Sequence, residues 1–280
     1  MLSESAIIIV PTVQATTLKV TDKSAGAELT KQKGAAEKSA RVVKTLIDPL
    51  HLKPILAVQA AFRTYLQGIT VPWFGDACLL PKTRYQEFLD KVSQFRDDLD
   101  KEVDNFVRSY ANLIEQAHSS LGELFDSSAY PDVFDLRSKF SISVSFMPVP
   151  DVNQFHDLGF ESASVDKLIA DALAAENEML KQATENLFKR VQTRISLLHN
   201  RLTDPETKRY RESLVEGLQV LVDTLPELNI LHDPMLDLIT VQIKDMLSTF
   251  TMDEVRSSEE IRKDVAAQCD EILAKMSGMF

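Results

Sequence analysis

Apolar residues recur over 83–124 at Tyr85, Phe88, Val92, Phe95, Leu99, Val103, Phe106, Tyr110, Leu113, Ala117, Leu121 and Leu124. The steps run 3, 4, 3, 4, 4 and then repeat, an eighteen-residue period that matches 3.6 residues per turn. Such spacing predicts one straight helical seam, where a strict heptad would supercoil. Thr83 followed three positions on by Gln86 predicts a capping box at its start. A second stripe over 164–202 passes through Val165, Leu168, Ala172, Met179, Ala183, Leu187, Val191, Ile195, Leu198 and Leu202. Two single-striped helices of equal length predict an antiparallel hairpin. A helix of about forty residues is ~60 Å long, against ~48 Å for a compact sphere of this chain length, so an elongated molecule is expected.

Between the stripes the pattern changes period. Phe140, Ile142, Val144 and Phe146 alternate with Ser141, Ser143 and Ser145, which predicts a strand with one apolar and one hydroxyl face. A lone strand is not stable, so it must return to other strands. The β-rich runs 6–10 and 17–21, separated by Pro11, are candidates for a hairpin or two sheet strands, and the Gly- and Pro-bounded segment 68–81 predicts two short strands around a turn. Helices are expected over 31–46 and 53–67, the first stopped by Asp48-Pro49. After 202, Asp204-Pro205 predicts an N-cap with proline at the first helical position of a helix ending before Pro226. Asp233-Pro234 repeats the signal for 235–250, and Ser257 with Glu260 for a last helix ending near Met276. The fold class expected is mainly α (α+β): an elongated helical hairpin with a small β head and a C-terminal helical segment. The boundaries are 1–82 for N-terminal strands and helices, 83–203 for the hairpin with its strand insertion at 126–162, and 204–280 for the C-terminal helices.

Composition narrows the function classes. A chain of 280 residues supplies an ample core, and Cys78 and Cys269 are too few and too isolated for a disulfide framework or a zinc site. No window approaches a membrane span and no basic n-region precedes the first apolar run, so a soluble, unprocessed, cytoplasmic protein is expected. Net charge is −11, yet residues 1–50 carry seven Lys or Arg against five Asp or Glu. Overall acidity argues against broad affinity for nucleic acid, while Lys31, Lys33, Lys38, Arg41 and Lys44 form one local basic set on the helix expected there.

Catalytic signatures are missing from the sequence. Only eight glycines are present, with no Gly-x-Ser-x-Gly elbow, P-loop or dinucleotide fingerprint. Glu115 and His118 have the Glu-x-x-His spacing of diiron bundles, but that site needs the motif twice and two more glutamates; none of His51, His156, His199 or His232 has a glutamate three residues before it. No enzyme activity, metal or cofactor is expected. The acidic run 96–106 suggests a nucleic-acid mimic that inhibits a host system. Duplex charge density over ~60 Å would need on the order of 35 charges, whereas the helix offers nine acids diluted by five basic residues. A solvated helix face fits better. Candidate partner-binding residues are Trp73 and Phe74 in the first turn and Pro148 and Pro150 at the strand exit, since rigid loops present contacts well. The bland alternative for Trp73 is an aromatic plug over the sheet.

The ordered set "IDPLHLKP", "TVPWFGDACLLP", "YQEFLDKVSQFRDDLDKEVDNFVRSY", "YPDVFDLRSKF" and "PVPD" resembles an uncharacterised family of phage and mobile-element proteins of unknown function, over residues 5–200. Pro72-Trp73, Leu80-Pro81, Tyr130-Pro131 and Pro148-x-Pro150 match its recurring points, which implies a shared fold. The resemblance implies no catalytic residues. Some members are encoded near MoxR-type AAA+ ATPases and von Willebrand A-like proteins, or near phage recombination genes. It therefore implies an accessory role: a non-enzymatic helical adaptor or regulator of a protein complex, with an AAA+ ATPase or a host factor as partner. The alternative is DNA or RNA binding in recombination or replication through the basic set. The resemblance also implies a bacterial host cell as the setting; no membrane partner is expected, and homo-oligomerisation stays open.

Overall fold

The computed structural model describes residues 2–36, 38–150, 162–206 and 209–277. In chain order its elements are α1 (Leu2–Ser5), β1 (Ala6–Gln14), β2 (Lys19–Asp22), α2 (Lys23–Gln32), β3 (Val42–Thr45), α3 (Lys53–Ile69), β4 (Val71–Pro72), β5 (Cys78–Pro81) and α4 (Tyr85–Leu121). There follow α5 (Val133–Ser138), β6 (Ser141–Met147), α6 (Ser162–Thr203), α7 (Glu212–Leu228), α8 (Pro234–Ser248), α9 (Met252–Ser257) and α10 (Glu259–Met276). The chain is mainly α with a small antiparallel sheet.

Four strands form one sheet in the order β4-β5-β1-β6. The return of the 140–147 strand to the N-terminal strands and the Val71 segment is thus found as expected. β1 does not form a hairpin with β2: it continues through Pro11, and β2 pairs antiparallel with β3 in a separate ribbon, Val20 opposite Lys44. Pro11 lies beyond the ladder of β1 to β5, which covers only Ala6 to Ile9. Along the apolar face of 140–146 burial is graded, with Phe140 and Ile142 buried, Val144 half-buried and Phe146 exposed.

By packing, the chain divides into two compact units: Met1–Val10, Leu66–Gln86 and Ser145–Phe280 in one, Pro11–Tyr65 and Glu87–Val144 in the other. In the first, α6 packs on α7 and α10, and α7 on α8. Val191, Ile195 and Leu198 are buried in one cluster with Leu218, Val222, Ile239, Val265 and Ile272. From Ala183 to Leu202 the burial expected from a hairpin with the 83–124 helix comes instead from the C-terminal helices, while Leu168 of the same stripe is exposed. An apolar stripe states which face is covered, not by what. Asp204-Pro205 makes a turn, with the Glu206 N–H donating to Asp204 at 2.9 Å, and the helix expected there starts only at Glu212 and carries Pro226 inside its last turn. Asp233 does cap α8, accepting from Met235 and Leu236. Ahead of it Asn229 closes the α7–α8 connection, exchanging hydrogen bonds with the Asp233 backbone and donating to Asp237. The last cap lies at Ser258, not Ser257, because α9 intervenes with its own Thr251–Glu254 capping box.

In the second unit, α4 buries Phe88, Val92, Leu99, Val103, Phe106, Tyr110 and Leu113, as the stripe predicts. Phe95 meets Phe62 of α3 edge-on at 5.5 Å, Tyr65 stacks on Phe88, and Phe106 meets Phe140 edge-on. Arg96 donates to the Ile142 carbonyl at 2.9 Å, which fastens β6 to α4. A 3₁₀ turn over Lys82–Arg84, which contains Thr83, leads into α4 at Tyr85. The helix expected over 31–46 is replaced by the end of α2, a turn in which Gly34 and Lys38 take positive φ, and β3, which packs on α2. Cross-strand pairing overrides the helix-favouring Ala, Lys and Glu content.

Candidate interaction surface

β4 and β5 pair through only two residue pairs, Val71 with Leu79 and Pro72 with Cys78. The connecting turn is closed by the Trp73 N–H donating to the Ala77 carbonyl and the Ala77 N–H to that of Phe74, both at 2.9 Å. Gly75 at φ +55° supplies the left-handed residue that such a turn needs. Trp73 is half-buried against the core, so its ring acts mainly as the plug, while Phe74 is 53% exposed. Pro148 and Pro150 are both exposed, with Val149 between them buried in the same core cluster as Ala6 and Ile8. Asp151 of the "PVPD" segment, like His156, lies outside the described residues.

These two segments do not converge. β4 and β6 are the opposite edges of the sheet, three strand spacings or about 14 Å apart.

The basic set is also dispersed. Lys31 lies in the last turn of α2, Lys33 at its C-cap, Lys38 in the left-handed turn and Arg41 just before β3, all exposed. Lys44 is 8% exposed and spent on Asp22, Nζ to Oδ2 at 3.0 Å, so it is unavailable to a phosphate. Asp22 also accepts from the Ser24 hydroxyl and the Ala25 N–H, and these bonds, with Lys44, hold its carboxyl well below the usual range.

The most exposed aromatic of the described residues is one the sequence reading passed over. Phe134 is 82% exposed on α5. That helix is firmly placed: Asp132 caps it by accepting the Asp135 N–H at 2.8 Å, Leu136 is fully buried, and Arg137 pairs with Asp104. The preceding Tyr130-Pro131 is tied by the Tyr130 hydroxyl to the Leu46 carbonyl at 3.0 Å and by the Tyr110 hydroxyl to the Pro131 carbonyl at 3.1 Å. Two helical positions are about 200° apart, so a core-facing Leu136 turns Phe134 to solvent. That relation was the available signal in "PDVFDL". Exposed Val133, Asp132 and Asp135 adjoin the ring in sequence.

Among the described residues no group of three or more His, Cys, Asp or Glu is arranged to hold a metal ion, and no helix is long and apolar enough to cross a membrane. No family model, curated protein or solved structure matches the chain.

Proposed function

We propose that this protein is a non-enzymatic adaptor or regulator of a protein complex, with Phe134 as its principal anchor. The supporting observation is an almost fully exposed aromatic ring on a helix whose position is over-determined by a cap, a buried leucine and an ion pair. An aromatic ring buries a large area on contact, and a rigid one loses little entropy on docking. The adjoining Asp132 and Asp135 suit a partner pocket with a basic rim. The phage or mobile-element setting, and an AAA+ ATPase or host factor as partner, belong to this proposal through the family resemblance.

The test is affinity capture from host cells with the full chain and with Phe134→Ala. Capture should weaken by about 2 kcal/mol, or roughly thirtyfold, while the helical circular-dichroism signal and the melting temperature stay unchanged. Undiminished capture would remove Phe134 as the anchor. Nucleic-acid binding by Lys31, Lys33, Lys38 and Arg41 is the competing reading. It gains if Lys38→Glu with Arg41→Glu abolishes salt-dependent retention of DNA or RNA on a filter and Phe134→Ala does not change capture.

A further inference from the structure

The turn before α3 and the C-terminal part of α4 enclose a groove of about 500 Å³. Its floor is apolar and buried, with Leu46 from the end of the ribbon and Leu113 and Ala117 one turn apart on α4. Exposed Gln116 and Ser120 form one rim, also one turn apart, and exposed Asp48 lies on the other. The small Ala117 side chain between larger neighbours leaves the depression that helix-surface ridges need in order to interdigitate. One oxygen of Asp48 accepts the Leu50 N–H at 2.9 Å; the other has no partner among the described residues. No Lys or Arg lines the groove, and His51 is its other titratable lining group. Exposed Glu115 adjoins Gln116 on α4.

Small ligands call for pockets that bury most of their surface. A trough with exposed rims and an apolar floor fits one face of an amphipathic helix better. Its lone lining carboxylate, Asp48, in a lining without Lys or Arg, selects a basic residue. The groove also adjoins the segment leading to Phe134, because Tyr130 donates to Leu46 of the floor.

We infer that this groove seats a basic amphipathic helical segment of the protein partner, its apolar residues over Leu46, Leu113 and Ala117 and a Lys or Arg at Asp48. The inference rests on the reading of Phe134 as a partner anchor.

The full chain is titrated with fluorescein-labelled peptides of about four helical turns. One carries Leu along a single face with Lys and Arg elsewhere, the second has the same composition in scrambled order, and the third replaces Lys and Arg by Glu. The patterned basic peptide should bind at least about tenfold more tightly than either control. Ser120→Trp, which fills the groove from an exposed position, should remove that preference, and Asp48→Asn, which keeps the cap but not the charge, should weaken it. Gln116→Trp repeats the block from the neighbouring rim position, and circular dichroism verifies folding. Equal binding of patterned and scrambled peptides, or binding indifferent to both tryptophan variants, overturns the inference. If Phe134→Ala abolishes capture of the cellular partner and Ser120→Trp does not, the groove inference fails and the adaptor reading stands. If neither substitution matters, both fall.

Discussion

Asp22 links two elements with one side chain. Its Oδ1 accepts the Ser24 hydroxyl and the Ala25 N–H that caps α2, and its Oδ2 meets Lys44 of β3. The ion pair needs the carboxylate and both hydrogen bonds are stronger to its charged form, so the folded-state pKa lies below the unfolded value of about 3.9. The stabilisation is therefore present above that value and is lost as pH falls through the folded-state pKa. Asp22→Asn should be less stable than the parent at pH 7, and the gap in urea midpoints should close progressively below about pH 4. A gap independent of pH would mean that the ion pair contributes nothing to the ribbon. Lys44 itself shows why a basic set is hard to interpret from sequence: it is buried opposite Val20, while Lys31, Lys33, Lys38 and Arg41 are exposed. Burial also governs the thiols: Cys269 is pushed up to about 12, chiefly by desolvation, so it belongs to the core chemistry of the C-terminal helices.

At the scale of elements, the long-range period of both stripes was legible because it follows from helix geometry alone. The 37-residue α4 and 42-residue α6 appear where the apolar spacing placed them. What covers α6 was not legible. Ile195 is fully buried in a cluster with residues of α7, α8 and α10, so Ile195→Ala should cost about 2–5 kcal/mol, read as a shift of the denaturant midpoint at unchanged slope. A cost below about 1 kcal/mol would mean that this seam is loosely packed. Local signals failed where two elements compete for the same residues. Residues 31–46 have helix-favouring composition, but pairing of β3 with β2 and the left-handed Gly34 and Lys38 end the helix early. Thr83 takes on a partner that no local pattern shows: it donates to Glu227 at 3.4 Å, and Arg84 pairs with the same carboxylate at 2.5 Å.

For the molecule as a whole, β1 is the element that most of the sheet depends on, since it lies between β5 and β6. Deleting residues 1–14 should leave both strands without their shared neighbour, expose the Ile142 face and lead to aggregation in size-exclusion chromatography. A soluble truncation with an unchanged melt would refute that dependence. Residue types and their spacing by themselves determined that the chain is mainly helical, that strands fall within residues 6–10, 17–21, 68–81 and 140–147, and that two long helices each carry one apolar stripe. Those properties are set within a few residues by backbone sterics and side-chain period. Tertiary structure alone decided that the 183–202 part of the α6 stripe is covered by α7 and α10, that Lys44 is neutralised by Asp22, that Trp73 packs on the core while Phe74 stays exposed, and that Phe134 projects into solvent. Many apolar stripes are similar enough to cover one another. The choice among them is made by the total area and polar pairing of the whole packed arrangement, which no local pattern encodes.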